Sequence, residues 1–314
     1  MTACAVHRRC RPVPTTGGRN LTRWALVLVL APSLATAQPA RAWTPPFDVD
    51  VIDLPRAANG VAYRLFVRKP IGEPRPGERP AAVYVLDALW DFPAVVAAQS
   101  NSEFLGHFPP MYYVGIGYQD EADGERHEAN RTRDYTPTAW APADPSKHFL
   151  QPVDWEGSGG ASAFLDVIER DVIPLMRRRY SVSTDTSVIV GKSMGGLLAV
   201  TALLTRPALF SHYLVISPAI WWDDYFKDFG DRATMRLERG GHARKLAAPT
   251  KVWIGMGAGE ERLGMLADVY VLGRALRLRG DRALDLTIEV LPGEVHESIL
   301  MPAFARGIKA LLWR

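Results

Sequence analysis

Ser187-Val188-Ile189-Val190-Gly191-Lys192-Ser193-Met194-Gly195-Gly196 is the stretch on which the fold turns. Its first four residues form a short, mostly β-branched apolar run, the pattern of a strand covered on both faces. Ser193 to Leu204 then predicts a helix. Between them lies Gly-x-Ser-x-Gly, in which the serine occupies a strained strand-to-helix turn and glycine is needed where a side chain would collide. Such a bend lifts the hydroxyl clear of the sheet. It also aims the backbone N–H of Met194, at a helix N-terminus, toward a developing oxyanion. Gly-Lys-Ser can end a phosphate-binding loop as well, but that motif needs glycine at Thr186, and Ser187 to Val190 read as strand. Ser193 is therefore the expected nucleophile.

Outward from this elbow, strands and helices alternate. Phe47 to Leu54 and Val61 to Val67 predict an initial pair of strands with one wet face, and the Pro/Gly-rich Pro70 to Pro80 a surface loop. Ala81 to Leu86 is a buried strand, Asp91 to Phe104 a helix, and Met111 to Gly117 another buried strand. Gln119 to about Gly159 has few apolar periods and is too long for a plain connection, so it reads as an insertion beside the site, anchored by Trp140 and Trp155. Helices follow at Ala161 to Arg178, Met265 to Arg279 and Ala303 to Trp313, with strands at Tyr213 to Ile216, Lys251 to Ile254 and Leu286 to Leu291. The polar, charged segment Asp223 to Pro249 is a second candidate excursion. This order predicts an α/β fold: a mostly parallel central sheet with helices on both faces and an N-terminal antiparallel strand pair.

A serine hydroxyl needs a base, and in this topology the histidine follows it in the chain. Of His212, His242 and His296, only His296 follows a strand end, across Pro292-Gly293-Glu294-Val295. The orienting carboxylate is expected after the strand Lys251 to Ile254, where Glu260 is favoured, with Glu261, Asp268 or a Ser-His dyad left open. A second oxyanion donor is expected in Asp87-Ala88-Leu89-Trp90, from the N–H of Leu89 or else Ala88, while Asp87 itself either serves the site or caps the next helix. His107, His127 and His148 have no metal-ligand spacing, so neither a metal nor another cofactor is expected.

The first 42 residues read as an address. Arg8, Arg9, Arg11, Arg19 and Arg23 precede the apolar run Trp24 to Leu34 and the small-residue sites Ala35-Thr36-Ala37 and Ala40-Arg41-Ala42, the order of a secretory signal cleaved near 37 or 42. A single domain, 43–314, remains, exported across the inner membrane and expected in the periplasm, with no stable membrane insertion. Of 37 basic residues the signal removes those five arginines, and Arg41 with cleavage after Ala42, whereas none of the 34 acidic residues is lost. The basic balance thus belongs to the signal, and no polybasic tract remains for nucleic acid. Both cysteines, Cys4 and Cys10, lie there too, which excludes disulfides, thiolate catalysis and cysteine metal sites from the exported protein.

Several stretches together carry a family likeness: Val85-Leu86-Asp87, Val114-Gly115-Ile116-Gly117-Tyr118, Arg131-Thr132-Arg133-Asp134-Tyr135-Thr136-Pro137, the serine elbow, Ser217-Pro218-Ala219-Ile220-Trp221-Trp222, Gly257 to Glu260, and Gly293-Glu294-Val295-His296. From about Phe47 to Arg314 the chain resembles the putative-esterase (esterase D-like) family of α/β-hydrolases, and within it periplasmic siderophore esterases that open enterobactin- or salmochelin-type trilactones. The resemblance implies that Ser193 and His296 are the catalytic pair, that Glu260 occupies the acidic position, and that Arg133 and Trp222 lie near the pocket mouth. Arg133, Trp90, Trp221 and Trp222 are the expected substrate contacts, gripping an anionic aromatic ester such as a ferric siderophore by charge and stacking. A local Arg133–Asp134 salt bridge is the competing assignment. The chain departs from the family's pattern at Asp87-Ala88, where Asp-Gly is common, and at Lys192, which puts a charge beside the nucleophile. A general carboxylesterase or feruloyl-type esterase, an acyltransferase and a catalytically silent ligand-binding protein of the same fold are the alternatives.

Overall fold

A computed structural model of the chain describes residues 48–121, 124–140, 157–223, 228–241 and 245–313. Residues 1–42, expected to be a signal, and Trp155, His148 and His242 lie outside the described residues. Eight strands form one sheet: β1 Val49–Asp53, β2 Tyr63–Arg68, β3 Ala81–Val85, β4 Met111–Tyr118, β5 Ser187–Lys192, β6 His212–Ile216, β7 Thr250–Gly257 and β8 Leu284–Leu291. Their spatial order is β1-β2-β4-β3-β5-β6-β7-β8. β1, β2 and β4 pair antiparallel, and every pair from β4 through β3 to β8 is parallel. This is the α/β-hydrolase arrangement expected from the strand and helix alternation.

The continuous apolar runs have the reason anticipated for them, because each central strand feeds two cores. Ala81, Val83 and Val85 of β3 and Val188 and Val190 of β5 join one cluster, with Ala82, Tyr84 and Ile189 in the other. Side chains that alternate across a pleated strand leave no wet face when helices cover both sides. Helices α1 Asp91–Phe104 and α8 Leu300–Leu312 close one face through Phe92, Val95, Val96, Phe304 and Ile308. The other face is covered by α3 Ala161–Val167, α4 Ile173–Tyr180, α5 Met194–Thr205, α6 Ala233–Gly241 and α7 Met265–Leu278. The segment expected as one helix from 161 is continuous but carries a π-helical turn at Ile168–Val172 between α3 and α4.

Two readings gain detail. Within the segment 119–159, expected as an insertion, α2 spans Gly124–Tyr135. Its sequence hid the helix because α2 buries polar residues, His127, Asn130, Thr132 and Asp134, so no apolar stripe marks its inner face. Asp87 does not cap α1 with its carboxylate; only its backbone oxygen receives the Trp90 and Asp91 N–H groups, at 3.0 and 2.9 Å.

β3 connects outward to β4, whereas the chain after β5 runs the other way through β6, β7 and β8. The order therefore reverses between β3 and β5, which are adjacent and parallel. Ligands in open α/β sheets bind beyond the carboxyl ends of the strands at such a switch point. Asp87 follows β3 and Ser193 follows β5, so both arrive there.

Candidate active site

Ser193 has φ 58° and ψ −119°, a conformation that costs a non-glycine residue about 1–3 kcal/mol. Three hydrogen bonds hold it. Its N–H donates to Ile216 O at 3.0 Å, and its own carbonyl accepts from Leu197 N at 3.0 Å and Ala219 N at 2.9 Å. Glycine is required at 191 because a Cβ there would stand 2.2 Å from Gly195 O. Met194 opens α5, where the first N–H groups of a helix lack an intrahelical acceptor.

The turn after β3 supplies a comparable free donor. Ala88 N–H goes to Ile116 O at 3.4 Å, and the next two after Leu89 go to Asp87 O. Leu89 N–H is thus the member of the turn with no acceptor among the described residues.

Glu260 and His296 are brought together by the loops after β7 and β8. Gly259 N–H donates to Glu294 O at 3.0 Å, which docks one loop on the other. His296 Nδ1 then lies 2.6 Å from Glu260 Oε1, while Glu260 Oε2 accepts from Ser217 Oγ at 2.6 Å and from Gly257 N at 2.7 Å. Glu260 is 1% exposed. Burial alone would raise its pKa, but the bonds from His296, Ser217 and Gly257 outweigh it and hold the carboxyl below its ordinary value. The other acids considered for this position are placed elsewhere: Asp268 is paired with Arg232 at 2.6 Å, and Glu261 is exposed. His212 sits at the opposite, amino end of β6, where burial, with Lys251 adding to it, lowers its pKa to about 4.

Ser193 and His296 line one open cleft of about 340 Å³ together with Asp87, Trp90, Asp91, His127, Glu128, Arg131 and Lys192. Of the expected substrate contacts, Trp90 lies at this cleft and is 59% exposed. Arg133, Trp221 and Trp222 are not among its described lining. Arg133 bonds Asp134 through Nε and Nη2 at 2.8 and 2.9 Å and Asn130 through Nη1 at 2.9 Å, the local pairing that competed with substrate contact. Trp222 is fully buried, donates its indole N–H to Thr138 O at 3.0 Å and packs 4.9 Å from Trp140. Large rings stabilise most where they are desolvated, and both tryptophans serve the core.

The cationic groups at the cleft are Arg131, His127 and Lys192, of which the sequence singled out only the last. Arg131 donates to both oxygens of Asp87, at 2.8 and 3.0 Å, and His127 Nε2 lies 3.4 Å from Asp87 Oδ1 while its Nδ1 bonds Glu121. Burial alone would lower the His127 pKa, yet its bonds to Asp87 and Glu121 push it up to about 9. Burial would raise Asp87, but Arg131 and His127 hold it below its ordinary value. Asp91, with little water around it and next to the Asp87 charge, is pushed up to about 7. His127 lies 40 residues downstream of Asp87, with β4 intervening before α2, so spacing could not reveal the pair; the Arg131-x-Arg133-Asp134 motif was the available signal.

Residues 58–297 match the family model described as Putative esterase. The ferri-bacillibactin esterase BesA of Bacillus subtilis is 34% identical over 170 residues, covering 52% of this chain and 56% of that protein. The siderophore triacetylfusarinine C esterase of Aspergillus fumigatus is 29% identical over 250 residues, covering 72% and 79%. The chain thus spans little more than half the length of the first of these relatives. In three dimensions, the BES protein from Bacillus cereus superposes with a TM-score of 0.71 at 23% identity, over 87% of this chain and 97% of that one. The siderophore hydrolase EstB from Aspergillus nidulans does so with 0.70 at 23%, over 88% and 97%. The family match runs from before β2 to just past His296 and so takes in the elbow, both loops that meet at Glu260, and the α2 cluster: this chain belongs to the Putative esterase family.

Proposed function

We propose that the protein is a serine hydrolase of carboxylic esters, with Ser193 as nucleophile, His296 as base, Glu260 as the acid that orients it, and the Met194 and Leu89 N–H groups as the oxyanion hole. One observation carries this assignment: a serine held at a strained elbow shares a cleft with an imidazole whose Nδ1 is already taken by a buried carboxylate. That leaves Nε2 of His296 to accept the Ser193 proton as Oγ attacks the ester carbonyl. The proton passes to the departing alkoxide, an acyl-enzyme forms, and water, deprotonated by the same imidazole, releases the acid. Glu260 fixes the tautomer and stabilises the imidazolium. No step draws on a metal or organic cofactor.

The substrate class we propose is a siderophore ester of the catecholate trilactone type, free or ferric. Support comes from the relatives and structural neighbours named as siderophore esterases and hydrolases, and from a cleft that offers Lys192 and the exposed Trp90 ring to an anionic aromatic group. An export signal at 1–42, cleaved near 37 or 42, completes the proposal and places the enzyme in the periplasm. No helix among the described residues is long and apolar enough to cross a membrane.

The deciding experiment compares wild type with Ser193→Ala on 4-nitrophenyl butyrate, then on intact ferric and metal-free trilactones with products followed by mass. Ser193-dependent release of linear and monomeric acids is expected. Absence of any Ser193-dependent turnover would leave a ligand-binding protein of the same fold.

A further inference from the structure

The α2 cluster beside Ser193 has no part in the proton transfers, yet it converges on one residue. Asp87 is held at φ 52°, a left-handed conformation that a non-glycine side chain rarely adopts unless its surroundings impose it. Its surroundings do so through three residues of α2. Arg131 binds both carboxylate oxygens at 2.8 and 3.0 Å, His127 Nε2 stands 3.4 Å from Oδ1, and Tyr135 Oη accepts the Asp87 N–H at 2.9 Å. His127 is itself fastened at its other nitrogen by Glu121. The side chains of Asp87, His127 and Tyr135 are all buried.

What Asp87 controls is the turn that follows it. Its carbonyl accepts the Trp90 and Asp91 N–H groups, and this fold of the backbone is what leaves Leu89 N–H without an acceptor among the described residues. The second half of the oxyanion hole is tied to the same anchor. A Cβ on Gly195 would lie 3.0 Å from Asp87 Oδ2, so the carboxylate rests against the first turn of α5. Arg131 Nη1 also lies 3.7 Å from Met194 Sδ. One guanidinium therefore touches both the residue that shapes the Leu89 turn and the residue that carries the Met194 N–H.

We infer that Arg131 and His127 are positioning residues that act through Asp87 to fix the spacing of the two oxyanion donors. The inference rests on the proposed serine mechanism and adds to it a reason for a charged cluster beside the oxyanion turn. A bidentate, planar contact is what the site uses, and lysine cannot reproduce it. Neither Arg131 nor His127 is required to touch the substrate. Their effect falls on the transition state, where the oxyanion exists, and not on the ground-state complex.

The test uses the full chain and the nitrophenyl ester, with Arg131→Lys, His127→Gln and Asp87→Asn each checked for folding by thermal melting. For Arg131→Lys, kcat is expected to fall about 10- to 100-fold with KM within about twofold, the size of an oxyanion-donor defect. The inhibition constant of an alkyl boronic acid, which forms a tetrahedral adduct on serine, should rise by a similar factor. Added guanidinium should restore part of the activity lost in Arg131→Ala. The inference is overturned by kcat within twofold of wild type in folded Arg131→Lys and Asp87→Asn, or by a fall in kcat with no matching loss of boronate affinity. Should every Arg131 variant unfold, His127→Gln decides by the same two readouts. If wild type itself shows no Ser193-dependent turnover, it is the esterase assignment that fails; wild-type turnover with indifferent variants sinks the positioning role alone.

Discussion

Two histidines flank the same serine, and each is held by a buried carboxylate, but the two sides of the cleft are built for different ends. On the β8 side, His296 is bonded at Nδ1 by Glu260 and makes no other side-chain bond among the described residues. On the α2 side, His127 has carboxylates at both nitrogens, Glu121 and Asp87, and its pKa is pushed up to about 9. An imidazole with one partner can exchange a proton at its free nitrogen, whereas one with two anionic partners is a fixed cation near neutral pH. Carboxylate and histidine in a cleft are therefore not enough to identify a base. The number of nitrogens occupied decides whether the group moves protons or holds backbone in place.

The largest effects should come from the β8 side. Ser193→Ala and His296→Ala are each expected to lower kcat on 4-nitrophenyl butyrate by about 10⁴- to 10⁶-fold, and the double variant by little more than either alone, because groups that act as a unit are not additive. Equal losses from His127→Ala and His296→Ala would break the contrast between the two sides. Glu260→Gln should cost about 10²- to 10⁴-fold in kcat by weakening control of the tautomer. The acids that competed for its place sharpen the assignment. Asp268→Ala removes a charge-assisted hydrogen bond and ion pair to Arg232 from a largely buried site, so it should lower stability by about 1–3 kcal/mol in denaturant titrations with kcat nearly unchanged.

The β8 side was legible in the sequence and the α2 side was not, for a physical reason. Chain order in this topology puts the proposed nucleophile and base after parallel strands, so Ser193 and His296 could be named from strand ends, whereas Glu260 was favoured there with Glu261, Asp268 and a Ser-His dyad left open. The strands were legible for a similar reason: Ala81 to Leu86 and Val188 to Val190 are continuous apolar runs, which suit strands covered on both faces. α2 lacks that signature because its inner face is charged, and 44 residues separate Asp87 from Arg131. Nothing local marks such a pair. The tryptophans misled in the opposite direction, since an aromatic pair after a strand end is as useful to a core as to a pocket, and Trp222 went to the core.

The same contrast should be visible in how stability depends on pH. Glu260 has a folded pKa below its ordinary 4.5, so its contribution is present above about pH 4.5 and is lost as the pH falls through the lowered value. His127 is raised from 6.5 to about 9, so its contribution is fully present below about pH 6.5 and is lost as the pH rises through about 9. Acid thus acts on the β8 side through Glu260 and on the α2 side through Asp87, whereas alkali acts on the α2 side through His127. Melting temperatures of wild type and His127→Gln, measured from pH 5 to 10, are expected to differ most at the acidic end and to converge above about pH 9. A gap that widened with pH would contradict a cationic His127.

The smallest effect on chemistry should come from Arg133, two residues from Arg131 on α2 and the earlier candidate for substrate contact. Its guanidinium is spent on Asp134 and Asn130, and Asp134 also accepts the Tyr63 hydroxyl at 2.8 Å, so the arginine completes a junction between α2 and β2. Arg133→Ala would leave Asp134, which is 1% exposed, with Tyr63 as its remaining bonded partner. A loss of about 1–2 kcal/mol is expected, because an under-satisfied buried acceptor costs more than a typical hydrogen bond gains. Turnover of a trilactone and of the nitrophenyl ester should both stay within about twofold of wild type. A selective loss on the anionic trilactone would instead place Arg133 against the substrate, and would show that α2 swings its second arginine into the cleft when an anion arrives.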